Sequence, residues 1–121
     1  MFRYYNANPR GRRVNDCTVR AISLATNQTW DAMYEKLSDF AQSQAIMFDE
    51  VVFIDEYLER IFQIVYSQKG DFYLTVGEFV DNNPYGIYLI TMNGHITCAI
   101  NGIIYDTFDP SARIILDAYK V

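Results

Sequence analysis

The chain is poor in the residues that carry most enzyme chemistry. Its 121 residues include one histidine, two cysteines, three prolines and one tryptophan. Two cysteines cannot build the disulfide framework of a small secreted scaffold, and their scarcity suits a reducing compartment. With no CxxC spacing, a zinc site would need Cys17, His95 and carboxylates, a poor match to the usual ligand sets. No GxGxxG or GxxxxGK[ST] segment is present, so no phosphate-cradling loop is expected. No apolar run approaches the roughly 20 residues that a membrane-spanning helix needs. The opening Met1-Phe2-Arg3-Tyr4-Tyr5-Asn6 lacks the apolar stretch of a signal peptide. The expected setting is therefore cytoplasmic, with no membrane partner, no metal and no cofactor.

Apolar residues and aromatic rings are plentiful. Half of the residues are apolar, with ten Tyr and eight Phe, enough for one core in a single domain over 1–121. The net charge of −5 argues against general nucleic-acid binding. The charge is uneven: residues 1–20 hold five Arg and one Asp, whereas the remainder holds five Lys or Arg and fourteen Asp or Glu. Arg10, Arg12 and Arg13 suit contact with an acidic substrate or nucleic acid. The simpler expectation is an arm that packs on, or pairs with, the acidic body of its own fold.

Periodicity places the elements. Residues 1–14, with Pro9 and Gly11, read as an extended arm. A helix is expected over 16–26, capped by Asn15 or Asp16. Thr29 caps a second at 30–45, with Trp30, Met33, Tyr34, Leu37 and Phe40 at helical spacing. A third covers 49–61, with a stripe of Val52, Phe53, Tyr57 and Ile61. Its acidic pairs, Asp49-Glu50 and Asp55-Glu56, read as a solvated face. A strand is expected at 62–67. Thr75-Val76-Gly77-Glu78 is a capping box opening a short helix to Val80, ended by Asp81-Asn82-Asn83-Pro84. Strands follow from Gly86 to Met92, through His95 and Asp106, and at 114–119. Helices first and an antiparallel meander after give an α+β layout, with the N-terminal helices packed on a C-terminal antiparallel sheet.

Three residues stand out against this background. Cys17 opens the first helix, where unpaired N–H groups and aligned peptide dipoles stabilise a thiolate. His95 follows in Gly94-His95-Ile96-Thr97-Cys98, and Asp106 in Ile104-Tyr105-Asp106-Thr107-Phe108. Asn101-Gly102 between two apolar runs signals a two-residue hairpin. That turn pairs Ile100 with Ile103, Thr97 with Asp106 and His95 with Phe108. Alternation then puts His95 and Asp106 on one face as diagonal neighbours, roughly 7–8 Å apart at the backbone. Cys98 and Asp109 fall on the other face. Cys17, His95 and Asp106 are thus a candidate nucleophile, base and orienting carboxylate. The competing reading makes Cys17 a packed small hydrophobe and His95 a satisfied sheet residue.

The order Cys, His, Asp on a helix start and two successive strands resembles a compact papain-like cysteine peptidase of bacterial or phage type. Asp106-Thr107-Phe108 stands where that family has an Asn-Ser-Trp-like triplet. Gly11 stands six residues before Cys17, in place of the family's oxyanion glutamine, and Thr18 follows Cys17 in place of tryptophan. The resemblance implies a papain-like fold with its active site in a cleft between the leading helix and the sheet. It further implies thiolate attack on a peptide or isopeptide carbonyl of a peptide or protein substrate. Asn15, the nearest upstream amide, is the candidate oxyanion donor beside the Cys17 N–H; its alternative role is to cap the helix. Asn6 and Asn8 lie further away. Arg20, one turn after Cys17, either raises the local positive potential or pairs with an acidic side chain. A second function is also open: a catalytically silent papain-like module that binds or inhibits a partner.

Overall fold

The computed structural model describes residues 1–47 and 51–121. The expected Asp49-Glu50 pair and the Val52 side chain lie outside the described residues. The chain runs β1 (Phe2–Tyr4), α1 (Cys17–Ala25), α2 (Trp30–Gln44), α3 (Val51–Ile61), β2 (Gln63–Ser67), α4 (Val76–Asn82), β3 (Ile87–Met92), β4 (His95–Ile100), β5 (Ile103–Asp106) and β6 (Ile115–Lys120). The architecture is α+β, with one six-stranded sheet in the order β1-β5-β4-β3-β6-β2.

Local chemistry accounts for most of these boundaries. The Thr29 hydroxyl accepts the Ala32 N–H at 3.1 Å and starts α2. Ala45 ends it in the left-handed region, at φ 55°. Met33, Leu37 and Ala41 recur every fourth residue and are buried, whereas Tyr34 is exposed. Among the described side chains of α3, Phe53, Tyr57 and Leu58 are buried. Ile61, expected on that stripe, is exposed because Leu58 takes the inward position one turn earlier. The capping box at α4 is complete: Thr75 accepts from the Glu78 N–H, and Glu78 accepts from the Thr75 N–H. The helix continues past Val80 to Asn82, whose neighbour Asn83 donates its side-chain amide to the Phe79 carbonyl at 2.8 Å.

Two expectations about the sheet need correction. The opening residues are not only an arm, because Phe2–Tyr4 forms a strand parallel to β5. The sheet is therefore mixed, not purely antiparallel. Three residues are too few to show a period, but their backbone clamps the sheet edge. The Ile104 N–H donates to the Met1 carbonyl at 2.9 Å, and the Tyr5 N–H to the Asp106 carbonyl at 2.8 Å. Nor do all helices share one face. Helices α1, α2 and α3 pack with Leu89, Ile96, Cys98 and Tyr119 in one core. Val76, Phe79 and Val80 of α4 pack with Tyr88, Ile90, Ala99, Ile104 and Ala118 in another. The two groups alternate along β3 and β4, so they occupy opposite faces of the sheet.

The β4–β5 hairpin has the expected register: Ile100 pairs with Ile103 and Cys98 with Tyr105. Its turn places both Asn101 and Gly102 at positive φ, 48° and 80°. That geometry suits the twist of the flanking strands. The Asn101 side-chain oxygen also accepts the Gly86 N–H at 2.9 Å, tying the turn to the start of β3. Gly102→Ala forces a side chain into the left-handed region and should cost about 1–2 kcal/mol. Urea unfolding beside the wild type measures it; an unchanged midpoint would show that the turn is not what holds the register.

Candidate active site

Cys17 is the first residue of α1 and is buried, with 9% of its surface exposed. Helix α1 packs on β4, which brings its first turn against His95 and Ile96. Burial alone pushes the Cys17 thiol up. A hydrogen bond with His95, a backbone hydrogen bond from Ile96 and the charges of His95 and Arg20 outweigh it, so the thiol lies below its ordinary 9.0. Cys98 shows the contrast. It lies wholly inside the helix-side core, where burial, with the Asp106 charge, pushes its thiol up to about 12.

His95 opens β4 with a side chain only 7% exposed. Its Nε2 meets Asp106 Oδ2 at 2.7 Å, leaving Nδ1 for the thiol. Burial alone would lower its basicity. Hydrogen bonds to Asp106 and Cys17, with their charges, raise it to about 9. Phe108 packs on the imidazole, with ring centroids 4.6 Å apart. The ring helps to keep water from the His95–Asp106 bond.

The Asp106 carboxylate is nearly sealed, at 2% exposure. Oδ1 accepts from Arg20 Nη1 at 3.2 Å and from the Thr107 N–H at 2.7 Å. Burial would raise its pKa, but hydrogen bonding led by His95 holds it below the ordinary 3.8. Asp109 takes no part. It is exposed and accepts from the Ser111 N–H and hydroxyl, shaping the chain around Pro110.

The residue that sequence reasoning undervalued is Asp16. It occupies the N-cap position of α1 but makes no side-chain cap bond. Its carboxylate instead accepts from Arg20 Nε at 2.8 Å, Trp30 Nε1 at 2.9 Å and Asn8 Nδ2 at 3.2 Å. Arg20 therefore bridges Asp16 and Asp106, and its pairing role is realised. The signal was its spacing of four from Asp16 on one helix. The tryptophan and asparagine donors left no local trace.

Asn15 is exposed and lines the cleft beside Cys17. Asn8 is committed to Asp16, and Asn6 donates to the Arg12 carbonyl at 3.4 Å. Among the described residues, no ion pair joins Arg10, Arg12 or Arg13 to the acidic body. Asparagines hold the arm instead: Asn8 Oδ1 accepts the Arg10 and Arg12 N–H groups. The cleft in front of Cys17 and His95 has a volume of about 260 Å³ and is bounded by α1, α3, the β3–β4 turn and β6. Among the described residues no three or more His, Cys, Asp or Glu cluster in a way that could hold a metal ion, and no helix is long and apolar enough to cross a membrane. No known family model, curated protein or solved structure matches the chain.

The arrangement draws the Cys17 thiol down and the His95 imidazole up. It also makes the fold depend on Asp106. Asp106→Asn leaves Arg20 and His95 short of a buried counter-charge and should cost about 3 kcal/mol. A depressed carboxylate contributes fully above its unfolded value of 3.8, and that contribution fades as pH falls through its lower folded value. The stability gap between wild type and variant should therefore hold at pH 7 and close in strong acid. The His95 titration, followed by NMR, should move down from about 9. Asp109→Asn should change neither. A harmful Asp109→Asn beside a silent Asp106→Asn would reverse the assignment of the orienting carboxylate.

Proposed function

We propose that the protein is a papain-like thiol hydrolase, a cysteine peptidase or amidase. Cys17 is its nucleophile, His95 its general base and acid, and Asp106 the residue that orients the imidazole. One observation carries the proposal. A first-turn cysteine lines the same cleft as a histidine whose Nε2 is 2.7 Å from a sealed carboxylate. The two reactive groups are shifted in opposite directions, as a thiolate–imidazolium pair requires.

The chemistry follows from that pair. The thiolate attacks the carbonyl carbon of a peptide or isopeptide bond, forming a C–S bond and an oxyanion. The Cys17 N–H and the Asn15 side chain are the proposed donors to that oxygen. His95 gives its proton to the nitrogen, the C–N bond breaks and the amine leaves. A thioester remains. Water then attacks it while His95 takes the water proton. The C–S bond breaks, the carboxylic acid departs, and the thiolate and imidazolium are restored. The substrate is a peptide or protein. Two unbridged thiols, Cys17 and Cys98, suit a reducing cytoplasm, bacterial or that of a phage-infected cell.

The competing reading, a silent binding module on the same scaffold, draws on one observation. Gly11, where the resemblance calls for the oxyanion glutamine, lies on the exposed arm at φ 62°. Thiol reactivity separates the two. Iodoacetamide should alkylate Cys17 at pH 6 well ahead of Cys98, because the Cys17 thiol is held below its ordinary value and the Cys98 thiol is pushed above it. His95→Ala should slow this about tenfold or more, as one unit of thiol pKa is a tenfold change in thiolate. Peptide mapping by mass spectrometry reads both sites. Equal labelling of the two cysteines, indifferent to His95, would leave the silent module.

A further inference from the structure

The wall of the cleft facing Cys17 carries two carboxylates. Asp55 comes from α3 and Asp117 from β6, and both line the same 260 Å³ cleft as Cys17 and His95. Asp117 accepts the Ser67 hydroxyl at 2.7 Å. Among the described residues neither carboxylate has an ion-pair partner. They repel each other instead: burial, then the charges of Asp117 and Glu59, raise the Asp55 pKa. Beside them lies the Tyr119 hydroxyl, fully buried and without a hydrogen-bond partner, in the field of Asp117, Asp55 and Glu59. A buried hydroxyl left unpaired next to carboxylates without counter-ions calls for an explanation, and a ligand N–H group donating to its oxygen supplies one.

The sheet register sets the spacing. Asp117 pairs with Thr91 across β6 and β3, and Thr91 pairs with Ile96 across β3 and β4. Two interstrand steps put Asp117 roughly 10 Å from the residue beside His95. Ile54, Met92 and Leu116 line the same cleft. A cleft that holds a nucleophile, apolar walls and two carboxylates matches a long side chain with an apolar stem and a cationic head.

We propose that this wall is a cation subsite, and that the favoured substrate carries a lysine or arginine next to the carbonyl that Cys17 attacks. The inference rests on the thiol hydrolase reading. The methylene stem lies over Ile54, Met92 and Leu116. The ammonium or guanidinium sits between Asp55 and Asp117 and relieves their repulsion.

The test uses peptidyl chloromethyl ketones identical except for the residue beside the warhead: lysine, norleucine or glutamate. The thiolate displaces chloride and leaves a thioether, and intact mass gives the alkylation rate of Cys17. The lysine probe should outpace norleucine by about tenfold or more, with glutamate slowest; tenfold corresponds to ~1.4 kcal/mol. The lysine-to-norleucine ratio should shrink in high salt, which needs no variant. Asp55→Asn and Asp117→Asn, each checked for its fold by circular dichroism, should each cut that ratio, and the pair should bring it near one. A wild-type ratio near one, with iodoacetamide labelling still dependent on His95, would overturn the cation subsite and spare the hydrolase. Labelling that is slow for every probe and indifferent to His95 would overturn both.

Discussion

The buried Asp106 carboxylate is the constraint on which the rest of the site depends. A charge taken out of water at 2% exposure must be matched on every side. His95 takes one oxygen, and Arg20 with the Thr107 N–H takes the other. Arg20 then carries the demand to Asp16, and Asp16 passes it to Trp30 and Asn8. One chain of charge-assisted bonds therefore joins the N-terminal arm, α1, α2 and the β4–β5 hairpin. It fixes the imidazole and the first turn of α1 relative to each other, which packing alone does only loosely.

This network also explains an apparent waste. Asp16 stands where a helix cap belongs, yet its side chain does not cap. Its carboxylate is taken up by Arg20, Trp30 and Asn8 instead. The Arg20 guanidinium offsets that carboxylate beside Cys17. The two thiols of the chain display the outcome. Cys17 is drawn down by His95 and Arg20, whereas Cys98 is pushed up to about 12 by apolar burial, with Asp106 adding to the rise.

The sheet carries a core on each face. Its α4 side is a closed apolar layer of Ile90, Ala99, Ile104 and Ala118. Its helix side holds the larger core, and at the edge of that core the cleft opens between α1 and α3. A register shift between Thr91 and Met92 makes Leu116 an extra residue in β6. That shift lets Ile115 and Ala118 join the same core while Asp117 stays on the cleft side.

Local chemistry determined much of this protein before any long-range contact formed. The Thr29 cap, the Thr75–Glu78 box and the spacing of Met33 and Leu37 each act within a few residues, and all were legible. So was the Asn101-Gly102 turn, whose positive φ angles set the register that brings His95 to Asp106. Other features required the folded chain. Phe2–Tyr4 is too short to show a period and becomes a strand only because β5 has a free edge. The stripe on α4 does not say which face of the sheet it will cover. Arg20 was visible as a cation, but Asp106 lies 86 residues away from it. Asp55 reads as part of a solvated face until α3 and β6 bring it and Asp117 to one cleft. Periods, caps and turns are decided by neighbours in sequence; burial and charge pairing are decided by neighbours in space, and only the tertiary structure supplies those.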